Sequence, residues 1–211
     1  MAVIKVNHIV TLQDARYCAA LDAGMISFCL ERGHIRKLAE DTIAEITDWL
    51  SGPEIVLDFG TDHAGAEAWL QASPAYKGLI QLTMDSPTGA LPATLHHQQL
   101  ICCLNLDTLP LPQPAALRQL ASQCAWLELC PVALDVGTTH YSPGLAEYVQ
   151  RLMPLLPNLI LNLDGAGARL LTELDGPLPA ISFRDLASLD VFELDYDKAD
   201  TLAEQYRDLA G

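Results

Sequence analysis

The stretch IKVNHIVTLQDA, residues 4–15, joins a short apolar strand to a capped helix, with Asn7 and His8 between the two. Thr11 followed three residues later by Asp14 is typical of a helix N-terminus, where a threonine hydroxyl accepts a backbone N–H of the first turn. In parallel α/β proteins the loops after the strands carry the binding and catalytic residues. Asn7 and His8 are therefore the first candidates for a functional site.

The rest of the chain repeats this alternation of strand and helix. Apolar runs such as LICCLNL (100–106) and NLILNL (158–163) are typical of parallel strands that helices cover on both faces. The candidate strands are residues 3–7, 25–30, 54–59, 78–83, 99–105, 125–130, 158–163 and 189–194. The segment 177–186, PLPAISFRDL, is a further apolar run, which could be a small extra strand or an irregular replacement for a helix.

Eight strands alternating with helices can close into a barrel or lie open as a doubly wound sheet. No glycine-rich nucleotide fingerprint follows the first strand, and this favours the barrel. We predict the α/β class, with residues 1–211 forming one compact (β/α)8 TIM barrel domain. One or two helices are expected to be shortened or replaced, first among them the one in SPTGALPATLHH, residues 86–97.

The charge balance and the cysteines restrict the partners and the compartment. A net charge of −15, from 27 acidic against 12 basic residues, argues against nucleic acid as a partner. No apolar run is long enough to span a bilayer, so no membrane partner is expected. The six cysteines lack metal-type spacing, which indicates packing roles in a reduced, cytoplasmic compartment. Cys102 and Cys103 should face opposite sides of strand five, and Cys130 should lie at a strand end.

Four segments, read in chain order, carry a family resemblance. They are KVNHIVTLQDA (5–15), AGMISFCLERGHIRKL (23–38), GLIQLTMD (78–85) and LILNLDGAG (159–167). They resemble, in turn, the patterns K-I-C-G-[IL]-T-x-x-x-D, AGADALGFVF…SPRYV, VVQLHGDE and LILAGGL of the phosphoribosylanthranilate isomerase family. That family consists of compact (β/α)8 barrel enzymes of tryptophan biosynthesis, so the resemblance implies the barrel and isomerase-like chemistry.

The resemblance also implies catalytic positions, and the chain departs from them. The family's general base is the cysteine after K-I, where this chain has Asn7, and a neutral amide cannot accept a proton usefully. The family's general acid lies near the end of strand six, where the nearest carboxylate is Glu128. If isomerase chemistry persists, Glu128 or Asp58 must replace the missing base, and Asn7 can only orient the substrate.

Arg36, Lys5 and His8 are the predicted ligand-binding residues outside the phosphate site, and only Arg36 rests on the resemblance. Arg36 falls on the family's substrate-binding arginine; the alternative is a surface arginine at the start of helix two that pairs with Glu40. Lys5 points into the barrel and needs a carboxylate partner, either Asp58 or Glu128. His8 follows Asn7 at the same strand end and is also predicted to contact the ligand.

The phosphate site of the resembled family lies in glycine-rich loops after strands seven and eight. Gly165 and Gly167 remain there as candidate ligand contacts, but Asp164 stands beside them. The segment VFELDYDK, residues 191–198, adds Glu193 and further carboxylates after the predicted strand eight. Carboxylates at these places would repel a phosphate.

The function that follows is a divergent isomerase-like barrel, either inactive or redirected to another small ligand, and acting as an isomerase if it is an enzyme. It needs no cofactor. One alternative is a metal-dependent enzyme in which His8, Asp58 and His63 hold a divalent cation at the acidic barrel mouth. Another is a non-catalytic regulatory or interaction protein. The partner is a small molecule, and the chain is expected to be a monomer or a homodimer.

Overall fold

The computed structural model describes residues 3–88, 91, 99–106, 111–131, 144–164, 168–184, 187 and 192–211. Eight strands close into a barrel in the order β1 to β8, and β8 pairs with β1. Every pairing is parallel. Within these residues, no helix is both long enough and apolar enough to cross a membrane. The predicted (β/α)8 barrel is confirmed.

The elements follow the predicted alternation. The strands are β1 Ile4–Val6, β2 Met25–Cys29, β3 Glu54–Asp58, β4 Leu79–Met84, β5 Leu100–Leu106, β6 Trp126–Pro131, β7 Leu159–Asn162 and β8 Ala180–Phe183. The helices are α1 Leu12–Ala20, α2 Glu40–Thr47, α3 His63–Ala72, α4 Pro114–Ala121, α5 Leu145–Leu152, α6 Arg169–Thr172 and α7 Tyr196–Ala210, with a 3-10 turn at Met153–Leu155.

The helix start predicted at Thr11 is confirmed. The Thr11 hydroxyl accepts the Asp14 N–H at 3.0 Å and caps α1. The helix α6 has only one turn, so one shortened helix is confirmed. The expected replacement within residues 86–97 lies mostly outside the described residues.

The eighth strand was predicted in the wrong place. The barrel closes through Ala180–Phe183, inside the segment 177–186, and residues 192–194 belong to none of the eight strands. A four-residue strand with three apolar residues, between a proline pair and a charged turn, gives a weaker pattern than the six-residue run 189–194, which explains the error. Asp195 caps α7 by accepting the Lys198 N–H at 3.1 Å, so the acidic segment belongs to a helix start.

Two layers of side chains fill the barrel interior. A cluster of buried apolar residues, which we call the lower layer, takes one residue from each of six strands: Met25, Val56, Leu79, Ile101, Ile160 and Ala180. Residues two apart on a strand share a face, so the next inward positions lie one step nearer the carboxyl ends of the strands. These form the polar layer: Lys5, Ser27, Asp58, Gln81, Cys103, Glu128, Asn162 and Ser182.

Candidate active site

A cavity of about 210 Å³ opens above the polar layer, at the carboxyl ends of the strands. Its lining is dominated by polar and ionisable side chains from all eight strand ends and the loops that follow them. The lining residues are Asn7, His8, Glu31, His34, Arg36, Asp58, Gly60, Gln81, Thr83, Cys103, Glu128, Cys130, Asn162, Asp164 and Arg184. This is the end of the barrel at which TIM barrel enzymes carry their active sites.

A buried ion pair lies at the centre of the polar layer. Lys5 Nζ donates to Glu128 Oε2 at 2.6 Å, and the two side chains are 0% and 1% exposed. Burial alone would lower the pKa of Lys5, but the charges of Glu128 and Asp58 outweigh it and raise that pKa. Burial would raise the pKa of Glu128, yet the Lys5 ammonium and the hydrogen bonds from Ser182 and Asn162 hold it below its usual value. Glu128 is therefore a firmly ionised partner of Lys5 and a weak base.

Asn7 is held by the same network. Its Oδ1 accepts from Lys5 Nζ at 2.5 Å and from Ser27 Oγ at 3.5 Å, and its Nδ2 donates to Glu128 Oε1 at 3.5 Å. All three contacts lie inside the barrel, and the asparagine is 6% exposed. Asn7 thus contacts both members of the ion pair, and its neutral amide cannot accept a proton usefully.

His8 and Asp58 form the second ionisable pair, nearer the opening. His8 Nε2 lies 2.8 Å from Asp58 Oδ2, and Asp58 also accepts from Gln81 Nε2 and the Gly60 N–H, each at 2.8 Å. Burial would raise the pKa of Asp58, but the contact with His8 and the charge of Lys5 lower it. The carboxylate therefore stays ionised and fixes the imidazole.

The backbone at His8 is in the left-handed region, with φ at 51°. This conformation is uncommon for a residue with a Cβ atom, and such residues concentrate at functional sites. The His8 N–H donates to Ser27 Oγ at 2.9 Å, which holds the turn and aims the imidazole at Asp58. The side chain keeps 21% of its surface exposed, so it is accessible from the cavity.

The loop after β2 brings two more groups to the cavity. Arg36 is 9% exposed and precedes α2, which begins at Glu40, so it lies in the mouth rather than on the helix surface. The Arg36 N–H donates to His34 Nδ1 at 3.1 Å, and the His34 ring packs edge-on against the His8 ring at 4.8 Å. Burial and the neighbouring His8 lower the pKa of His34, which favours its neutral form with the proton on Nε2.

Arg184, which sequence reasoning missed, follows β8 and lines the cavity while only 1% exposed. Its backbone N–H donates to both carboxylate oxygens of Asp164, at 2.8 and 3.0 Å. Asp164 follows β7, and its own N–H donates to Asn162 Oδ1 at 2.9 Å. A backbone donor at the end of strand eight therefore already holds a carboxylate of the chain itself. The predicted contacts Gly165 and Gly167 lie outside the described residues.

The three proposed metal ligands do not act together. His8 and Asp58 are in contact, but His63 Nε2 is 2.9 Å from the carbonyl oxygen of Thr83 and the residue does not line the cavity. Among the residues that the structure describes, no group of three or more His, Cys, Asp and Glu side chains is placed to hold a metal ion. The described site contains the Lys5–Glu128 ion pair and the contact between His8 and Asp58 instead.

The other missed residues share one signal. Ser27, Gln81, Asn162 and Ser182 each lie on a strand and bind the two carboxylates or their partners. Ser27, Gln81 and Asn162 lie inside predicted strands, two positions after an apolar inward residue. Counting inward positions by twos would have found these three, and Ser182 with them once β8 was placed.

Comparisons with known proteins agree with the fold. No protein-family model and no curated protein matches the chain. The phosphoribosyl anthranilate isomerase from Thermotoga maritima superposes with a TM-score of 0.71 at 11% identity, over 99% of this chain and 100% of that one. The enzyme from Thermus thermophilus gives 0.67 at 19% identity, over 98% and 99%.

A barrel of different chemistry also matches, which limits what the similarity implies. The phospho-2-dehydro-3-deoxyheptonate aldolase from Thermotoga maritima gives a TM-score of 0.61 at 10% identity, over 99% of this chain and 69% of that one. Similarity at these identities concerns the fold, since one barrel supports many reactions. The chain has the fold of the phosphoribosylanthranilate isomerases along nearly its whole length.

Proposed function

We propose that this isomerase-like barrel is redirected from a phosphorylated substrate to a small carboxylate ligand, with the His8–Asp58 pair exchanging the proton. The observation that carries the proposal is the contact of Asp164 with the Arg184 N–H. Loops after strands seven and eight of such barrels commonly bind phosphate. Here the Asp164 carboxylate already accepts the Arg184 N–H in that region, and its negative charge would repel a second anion.

The acid–base role goes to His8 because the alternatives are weak. Asn7 cannot accept a proton, and Glu128 and Asp58 both have lowered pKa values. When His8 Nε2–H donates to Asp58, the ring nitrogen Nδ1 carries the lone pair that can take a proton from a ligand. This is the arrangement in which a carboxylate orients an imidazole base.

Arg36 supplies the group that would hold the ligand. A guanidinium presents paired N–H donors that match a carboxylate. Arg36 lines the same cavity as His8, and a volume of about 210 Å³ suits a ligand of roughly anthranilate size better than one carrying a ribose phosphate as well. A ligand carboxylate on Arg36 would place the rest of the molecule toward His8.

Calorimetry with two probes tests the ligand class. We expect anthranilate to bind and ribose 5-phosphate not to bind, and we expect Arg36→Met to weaken anthranilate binding at least tenfold. Asp164→Gly should create ribose 5-phosphate binding, whereas the matched Asp164→Asn, which keeps an acceptor for the Arg184 N–H, should create much less. Binding of ribose 5-phosphate to the unaltered protein would contradict the proposal.

Activity assays test the reaction. The unaltered protein and Asn7→Cys should both leave N-(5′-phosphoribosyl)anthranilate unchanged, as followed by its fluorescence. Activity in Asn7→Cys alone would indicate a dormant isomerase instead of a redirected one. In D₂O, proton NMR of small 2-oxo acids should show exchange of the C–H next to the carbonyl that disappears in His8→Gln. Failure of binding and exchange together would favour a non-catalytic interaction protein.

A further inference from the structure

We propose that Cys103 and Cys130 are a redox-active dithiol in the wall of the barrel mouth, which a hydroperoxide converts to a disulfide. The two Sγ atoms lie 3.0 Å apart, and both residues line the cavity. The register of β5 against β6 sets this distance: Cys103 is opposite Glu128, and Cys130 is the next inward residue of β6. The pair lies in the same cavity as His8 and Arg36, and its chemistry does not depend on which ligand the cavity binds.

A second cysteine pair gives an internal comparison. Cys102 and Cys124 are close enough for each to affect the pKa of the other. These residues are 0% and 2% exposed and belong to the large apolar core outside the barrel. Cys102 and Cys103 are consecutive on β5, so one pair faces the helices and the other faces the cavity. Only the inner pair is reachable by a small oxidant from the mouth.

The order of the reaction follows from the surroundings of the two thiols. The hydrogen bond with Cys103, together with burial, raises the pKa of Cys130 well above its usual value. Cys130 therefore keeps its proton and can donate it to the Cys103 sulfur, which lies 3.0 Å away. Cys103 is accordingly the attacking sulfur and Cys130 the resolving one.

The chemistry balances with a hydroperoxide as oxidant. Cys103 attacks the distal oxygen of ROOH; the O–O bond breaks, an S–O bond forms, and ROH leaves with the thiol proton. Cys130 then attacks the sulfenic sulfur, the S–O bond breaks, and water leaves with the second thiol proton. Two electrons pass from the sulfurs to the peroxide. The sulfurs must approach by about 1 Å, since a disulfide bond is about 2.05 Å long.

The experiment treats the full chain with hydrogen peroxide and counts thiols after denaturation. We expect the unaltered protein to fall from six thiols to four. The matched variants are Cys130→Ala and Cys124→Ala, one from each pair. Cys124→Ala should still lose two thiols. Cys130→Ala should form no disulfide and should accumulate a Cys103 sulfenic acid that dimedone traps.

The thiol count and the identity of the disulfide decide between support and contradiction. Retention of all six thiols under excess peroxide overturns the proposal, as does a disulfide that persists in Cys130→Ala and disappears in Cys124→Ala. Should Cys130→Ala fail to fold, fragmentation of the cross-linked peptides of the oxidised unaltered protein assigns the bond directly. A bond between Cys103 and Cys130 supports the proposal, and a bond between Cys102 and Cys124 contradicts it.

Discussion

The lower layer and the polar layer lie in the same barrel, two residues apart along each strand. Different interactions stabilise them: apolar packing in the lower layer, and ion pairs and hydrogen bonds in the polar layer. The lower layer is a cluster of apolar side chains led by Ile101 and Ile160, both fully buried. The polar layer buries Lys5, Asp58 and Glu128 as deeply, and its atoms are joined by hydrogen bonds. Apolar burial stabilises without direction, whereas buried charges are tolerable only when each finds its partner.

One layer of this barrel is therefore suited to packing and the other to chemistry. Apolar contacts can be rearranged with small losses, while a charge network loses much when one member is removed. The polar layer should therefore be more sensitive than the lower layer to acid and to single substitutions. Each prediction below tests that contrast.

Lowering the pH should reduce the free energy of unfolding more than any substitution below, because it protonates two buried carboxylates at once. The folded pKa values of Asp58 and Glu128 lie below their ordinary values, so the unfolded chain binds more protons as the pH falls. Their stabilisation is complete above about pH 4.5, near the usual carboxyl range, and is lost as the pH falls through the lowered folded values. Urea unfolding at pH 7, 5, 4 and 3 measures it.

The control for the pH series is a variant that lacks one of these two carboxylates. Lys5→Met/Glu128→Gln should lose less stability between pH 5 and pH 3 than the unaltered protein. Equal slopes would mean that surface carboxylates cause the acid effect. Lys5 has the opposite sign: its raised pKa means that its contribution is present below about pH 10.5 and is lost as the pH rises through the raised value.

Lys5→Met should be the most damaging of the single substitutions considered. It leaves Glu128 buried without its cation and removes the donor to Asn7 and Gln81. Removing one partner of a buried ion pair costs about 3–5 kcal/mol. Urea unfolding at pH 7 checks this, and Lys5→Met/Glu128→Gln should recover at least half of the loss. A cost below about 1 kcal/mol would show that the pair contributes little to stability.

Ser182→Ala should have a smaller effect in the same network. The Ser182 hydroxyl donates to Glu128 Oε1 at 2.6 Å, and hydrogen bonds to charged groups are worth about 2 kcal/mol. The loss should shrink markedly when Glu128→Gln is already present, because the charge that strengthens the bond is gone. Additive losses in this double-mutant cycle would contradict a charge-assisted contact.

The contrast between the layers also marks what sequence could predict. Strand periodicity and helix caps predicted seven strands, the barrel and the inward direction of Lys5 and Glu128. They could not place β8, because its four residues, three of them apolar, are a weak signal beside a longer neighbouring run. Three further features depend on how strands distant in sequence pair, and no local pattern contains that information. They are the pairing of Lys5 with Glu128 instead of Asp58, the Asp164–Arg184 contact and the turn at His8.

Ile160→Val should have the smallest effect and should leave the site intact. Ile160 is fully buried in the lower layer, and removing one methylene from a packed core costs about 1 kcal/mol. It lies two positions before Asn162, which donates to Glu128 Oε1 at 3.3 Å, so the change falls directly beneath the network. Urea unfolding should show the small loss, and anthranilate affinity should change less than twofold. A larger change in affinity would mean that the two layers are coupled, and the division between packing and chemistry would then fail.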